Sequence, residues 1–129
     1  MDKSVLRDGP GQQFRASWTV GQNMPFMKIS QWGNWLQVED LDGEKHWIAA
    51  NHVAYGGQCV VVKTKQAVLR QGPGQKFLST EFGQAEKYMA FKKINREAEW
   101  IQVEDDYHMK YWMNEKSLWL PIKTTRLEF

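Results

Sequence analysis

From Trp35 to Glu39 apolar and polar residues alternate with a period of two, so Leu36 and Val38 share one face while Trp35, Gln37 and Glu39 share the other. The alternation returns at 100–104, where Ile101 and Val103 oppose Trp100, Gln102 and Glu104. Each stretch predicts a strand whose aliphatic face meets a core. Lys45-His46-Trp47-Ile48-Ala49 follows the first strand across Asp42-Gly43, a pairing that predicts an antiparallel hairpin with a type I′ turn. The second copy has Asp106-Tyr107-His108 there, without glycine, which predicts a different turn before Lys110-Tyr111-Trp112-Met113. Met24–Ile29 and Met89–Ile94 read as the strands before the tryptophan strands, with Phe26 and Phe91 in the core. Apolar residues sustain no long 3.6-residue period, so the chain reads as all-β.

The strands belong to a duplication. Val5-Leu6-Arg7-Asp8-Gly9-Pro10-Gly11-Gln12-Gln13-Phe14 returns as Val68-Leu69-Arg70-Gln71-Gly72-Pro73-Gly74-Gln75-Lys76-Phe77, identical at eight of ten positions. This block recurs after 63 residues and the tryptophan strand after 65, so the second unit carries two extra residues between Phe77 and Met89, assigned to a loop. The glycine-proline-glycine segments read as turns that end a strand, because proline fixes φ and glycine takes conformations other residues resist. Neither a helix nor a Lys-Ser/Thr pair follows them, which excludes a phosphate-binding P-loop. The expected division is a first unit at 1–57, a second at 58–121 and a C-terminal tail at 122–129, with Gly56-Gly57 as the one clear break.

Composition narrows the function classes. A chain with 25% charged and 42% hydrophobic residues and a net charge of +2 has no strong basic field. Lys63, Lys65, Arg70 and Lys76 form a loose basic stretch, but Glu39, Asp40, Asp42, Glu104, Asp105 and Asp106 set acid beside the aromatic strands, which argues against nucleic acid. No run is long and apolar enough for a membrane span, and Met1-Asp2-Lys3-Ser4 lacks a signal core. The expected location is periplasmic or exported if a signal peptide was removed upstream of Met1, and otherwise cytoplasmic. The single cysteine, Cys59, lies in Cys59-Val60-Val61-Val62 and reads as a small buried hydrophobe. His46, His52 and His108 have no ligand spacing, so neither a metal nor another cofactor is expected. No recognisable combination of nucleophile, base and orienting group stands out, and Glu39-Asp40 and Glu104-Asp105 read as solvated strand ends. A non-enzymatic protein is expected.

Val5-x-Arg7-x-Gly9-Pro10-Gly11, Gly33-Asn34-Trp35-x-x-Val38 and Asp42-Gly43-x-x-x-Trp47-Ile48, in that order and with partial repetition, resemble the bacterial SH3 domain. The tandem form looks like exported bacterial proteins of two such domains. The resemblance implies two SH3-like barrels, each of five to six short antiparallel strands with a 3₁₀ turn before the last. His46-Trp47-Ile48-Ala49-Ala50-Asn51-His52-Val53 is also similar to the eukaryotic SH3 segment Gly-Tyr-Ile-Pro-Ser-Asn-Tyr-Val, and Trp35 falls at that family's groove tryptophan. Histidine and alanine replace groove residues of that segment, which weakens a polyproline reading.

The candidate ligand contacts are therefore Trp35, Trp47, Asn51, His52, Trp100 and Trp112. Trp35 and Trp100 either stack on a ligand or plug a barrel end. Trp47 and Trp112 recur beside Ile48 and Met113, where a structural role competes with ligand contact. Trp18 and Trp119 occur in one copy each and are candidates for contacts between units or for covering an edge. Arg7 and Arg70 read as strand-end anchors. The resemblance implies a binding or targeting module of the cell envelope with peptidoglycan or an envelope protein as partner. The alternative is a structural protein whose two barrels pack rigidly with no small-ligand site. Wherever the copies differ, as at His52 against Ser117 and Ala49 against Asn114, binding by the two units should differ as well.

Overall fold

A computed structural model describes residues 3–21, 24–55, 59–120 and 126–128. The chain divides into two compact units, Met1–Gly57 together with Pro121–Phe129, and Gln58–Leu120. The expected break at Gly56-Gly57 lies outside the described residues.

Strands form where the alternating pattern placed them. The first unit contains β1 (Lys3–Arg7), β2 (Ala16–Gly21), β3 (Phe26–Trp32), β4 (Trp35–Glu39), β5 (Lys45–Ala49), a 3₁₀ turn at Ala50–His52 and β6 (Ala54–Tyr55). The second contains β7 (Cys59–Val62), β8 (Gln66–Arg70), β9 (Ser79–Glu86), β10 (Ala90–Glu97), β11 (Trp100–Glu104), β12 (Lys110–Asn114), a 3₁₀ turn at Glu115–Ser117 and β13 (Leu118–Trp119). The last strand, β14 (Arg126–Glu128), belongs to the first unit. The fold is all-β and SH3-like, with a 3₁₀ turn before β6 and before β13.

Among the described residues each unit holds one antiparallel sheet of seven strands, ordered β2-β1-β5-β4-β3-β14-β6 and β13-β7-β10-β11-β12-β8-β9. Read in opposite directions, the two orders are the same. Five to six strands closed into a barrel were expected. Instead, among the described residues, no ladder joins β6 to β2 or β13 to β9, so each sheet is open between its end strands.

The C-terminal residues change the picture most. Residues 122–129 read as a tail in the sequence, yet β14 pairs on one side with β3, Leu127 opposite Phe26, and on the other with β6, Leu127 opposite Tyr55. In the second unit β7 holds this place between β10 and β13, with Val60 opposite Phe91. The same slot is thus filled by a strand preceding β8 in one unit and by the last strand of the chain in the other. Without β14, the facing edges of β3 and β6 would present unpaired N–H and C=O groups.

The two extra residues of the second unit also lie elsewhere than expected. Between Arg70↔Ser79 and Val68↔Gln84 the register shifts, and β9 spends two more residues there than β2 spends between Arg7↔Ala16 and Val5↔Thr19. The insertion is a bulge inside a strand, with Gly83 at φ +75°, and not a loop.

Each core follows the aliphatic faces. Leu6, Phe26, Leu36, Val38 and Ile48 are buried in the first unit, and Val60, Val62, Leu69, Phe91, Ile101, Val103, Met113 and Leu118 in the second. Cys59 is buried in β7. A Cβ on Gly9 or Gly72 would run into the ring of Phe14 or Phe77, so each glycine-proline-glycine turn lets an aromatic fold over its own backbone.

Removing residues 126–129 should cost about 0.5–1.5 kcal/mol per ladder bond lost. Hydrogen exchange is the check: amides of β3 and β6 should lose protection while those of β10 and β13 keep theirs.

Candidate binding site

Both units use an aspartate to fasten the hairpin after the tryptophan strand. Asp40 N–H donates to Glu44 O at 2.9 Å and Gly43 N–H to Asp40 O at 3.0 Å, while Asp40 Oδ1 accepts from the N–H groups of Asp42 and Glu44. In the second unit Asp105 N–H donates to Met109 O at 3.0 Å and His108 N–H to Asp105 O at 3.1 Å, and Asp105 Oδ1 accepts from Tyr107 and Met109. The turn is the same twice. A type I′ turn was expected for Asp42-Gly43 and a different one for the second copy. The structure instead puts one residue of each loop at positive φ, Gly43 at +83° and His108 at +66°. Histidine is among the non-glycine residues that tolerate this region best, and the aspartate bonds hold it there.

The free oxygen of each aspartate reaches the following strand. Asp40 Oδ2 lies 2.8 Å from His46 Nε2, and His46 Nδ1 lies 2.7 Å from Ser17 Oγ. Asp40 is 4% and His46 7% exposed, so Asp40 is no solvated strand end. The Trp18 ring packs 5.8 Å from that of His46. This Ser17–His46–Asp40 line brings together three groups that sequence spacing did not connect. Its counterpart is Tyr111 Oη donating to Asp105 Oδ2 at 2.9 Å. The shared feature is an aspartate tied to its own hairpin, which fastens the turn in both units. Burial, followed by the Asp105 hydrogen bond, pushes the Tyr111 hydroxyl up to about 12.

Three expected contact residues converge in the first unit. A cavity of about 290 Å³ is lined by Ser4, Val5, Arg7, Gln12, Trp35, Ala49, Asn51 and His52. A second, of about 480 Å³, shares Trp35, Ala49 and Asn51 with it and adds Asn34 and Ala50. Together they make a groove between the start of β4 and the 3₁₀ turn. Buried Ser4 fixes His52, its Oγ lying 2.9 Å from Nδ1. Arg7 Nη1 donates to Phe14 O at 3.0 Å, which ties the glycine-proline-glycine turn to the groove wall. Trp47 is half-buried on β5, opposite Gln37 and Arg7, and does not line these cavities.

The second unit treats the equivalent region differently. Glu115 follows β12 where Ala50 follows β5, and Arg96 on β10 stands where Gln31 does on β3. Both Gln31 and Arg96 donate to a hairpin carbonyl, Gly33 O and Ala98 O, at 3.0 Å. Arg96 Nη1 additionally meets Glu115 Oε2 at 2.6 Å. That ion pair reaches from β10 across β11 to the turn beyond β12, over the end where Trp100 lies buried at 8% exposure. Trp112 is half-buried opposite Gln102 and Arg70. Two cavities of this unit lie elsewhere, one beside the β9 bulge, lined by Arg70, Gln75 and Lys76 among others, and one beside Tyr107 and Tyr111.

Sequence reasoning missed Arg7, Gln12 and Ser4 as groove residues, as well as the Arg96–Glu115 closure. The signal for the closure was present in the exchange of Ala50 for Glu115 and Gln31 for Arg96, but it needed the register of three strands. Among the described residues no group of acidic, histidine or cysteine side chains could hold a metal, and no helix is long and apolar enough to cross a membrane.

Residues 2–54 match the family model of the bacterial SH3 domain. No curated protein matches the chain. A crystal structure of an NlpC/P60 family protein from Bacillus cereus is similar over 93% of this chain and 54% of its own length, at 11% identity and a TM-score of 0.42. The chain thus spans about half the length of that protein.

Two measurements test the clamps. Asp40→Ala should lower stability in urea melts by about 2–4 kcal/mol, more than Asp105→Ala, because Asp40 is the more deeply buried and leaves His46 without its acceptor. For Tyr111 the folded value lies above the ordinary 10, so the unfolded chain loses its proton first as pH rises. Stability from this group is complete below pH 10 and falls towards pH 12, and Tyr111→Phe should flatten that slope in alkaline melts.

Proposed function

We propose, with the first unit a bacterial SH3 domain, that the chain is a non-catalytic binding module of the cell envelope whose first unit holds peptidoglycan or an envelope protein. The observation that carries this reading is the groove of Trp35, Asn51 and His52, open in the unit that matches the family. The association of bacterial SH3 domains with cell walls supports the envelope, and a periplasmic or exported location belongs to the same proposal. The groove combines a flat aromatic wall with fixed polar groups, the chemistry that small binding sites use to orient a ligand. Trp35 supplies area at low entropic cost, and His52 is held in place by Ser4.

Cosedimentation with purified cell wall tests this. The intact chain should pellet with the wall. Trp35→Ala should weaken retention by about tenfold or more, the loss typical of a central aromatic anchor. Trp100→Ala, checked for folding by circular dichroism, should leave retention within about twofold. Absence of retention, together with tryptophan fluorescence unchanged by muropeptides, would contradict the proposal.

A further inference from the structure

We infer that the groove of the first unit takes the free terminal carboxylate of a short wall peptide, with Arg7 as its charge partner. This rests on the binding reading above and names the ligand group that the site selects.

The residues lining the two cavities include one formal charge, the Arg7 guanidinium, and no aspartate or glutamate. Arg7 commits Nη1 to Phe14 O, which fixes the direction of the guanidinium. A guanidinium has five N–H donors, so donors remain for a carboxylate, which it can bind through two parallel bonds. Gln12 and Asn51 add amide donors on the same lining, and His52 adds a ring whose Nδ1 is already engaged by Ser4. Val5, Ala49 and Trp35 make the remaining wall. That mixture suits a small apolar residue ending in an anion. It suits poorly a cation or a neutral sugar lacking a charge to place against Arg7.

The second unit shows what an anion does in the adjoining sector. At the position of Ala50 it carries Glu115, whose carboxylate is met by Arg96, and its tryptophan is buried. In the first unit Ala50 lines the groove and brings no carboxylate of its own. Arg70, the counterpart of Arg7, turns both Nη1 bonds to its own loop, to Gln75 O and Phe77 O, and lines the cavity beside the β9 bulge. Arg7 and Trp35 line one cavity in the first unit, whereas the cavity that Arg70 lines does not include Trp100.

The test is calorimetric titration of the intact chain with N-acetyl-D-alanyl-D-alanine, its C-terminal amide and the all-L acid. The D,D acid should bind at least about tenfold more tightly than its amide, the preference expected from one charge-assisted bidentate contact. Arg7→Gln should abolish that preference. Because Arg7 also anchors a turn, Ala50→Glu is the second variant: it leaves Arg7 in place, sets a carboxylate at the groove mouth and should reduce acid binding about tenfold with an unchanged circular dichroism spectrum. Equal affinity for acid and amide would overturn the carboxylate assignment. Tighter binding of the L,L acid would overturn the wall-peptide source in favour of a protein terminus. If the wall still retains the chain while acid and amide are indistinguishable, this inference alone fails. If neither wall nor peptide binds, the binding reading fails with it.

Discussion

The pairing of β14 between β3 and β6 is the constraint on which the first unit rests. β3 runs by a hairpin into β4, which begins at Trp35, and β6 follows the 3₁₀ turn that carries Asn51 and His52. The groove itself is held by the ladder of β4 with β5, where Trp35 pairs with Ala49 and Ala50 N–H donates to Asn34 O at 2.7 Å. Backbone hydrogen bonds from β14 join the start of β3 to the strand that follows the 3₁₀ turn, and so complete the sheet that carries the groove. The second unit obtains the same strand position from β7, its own first segment, so its sheet has no such dependence on a distant part of the chain.

What the duplication preserves and what it lets drift follow different rules. The glycine-proline-glycine turn, its arginine tie and the aspartate-fastened hairpin recur because each satisfies backbone groups that would otherwise be orphaned at a strand end. His108 replaces Gly43 in the second hairpin, yet the turn survives, because three bonds to Asp105 outweigh a modest conformational penalty. Side chains over the groove were under no such demand. Ala50 became Glu115 and Gln31 became Arg96, or the reverse, and an ion pair now crosses the sector that stays open in the first unit.

Period-two alternation made the strands legible: Leu36, Val38, Ile101 and Val103 are all fully buried as their spacing required. Trp35, Asn51 and His52 were legible as a set through likeness to a known segment, and they line one groove. Arg7 was read as an anchor, which it is, while its place in the groove depended on a fold-back of β1 that no local pattern encodes. Residues 126–128 were illegible for a related reason. They pair with β3 across most of the chain, and Arg126-Leu127-Glu128 shares no residue with the Cys59–Val62 strand whose slot it matches. His46 and Asp40 escaped because adjacent strand residues point to opposite faces only until the strand ends, and Asp40 begins a turn.

One unit of the pair keeps a groove open beside its tryptophan, while an ion pair spans the equivalent sector of the other. Nitrogen-15 labelling of the tryptophan indoles separates them directly, since each gives its own N–H signal. On titration with soluble muropeptides the Trp35 signal should shift and saturate while that of Trp100 stays in place. A shift confined to Trp100, or equal shifts at both, would mean that the groove beside Trp35 is not the binding site.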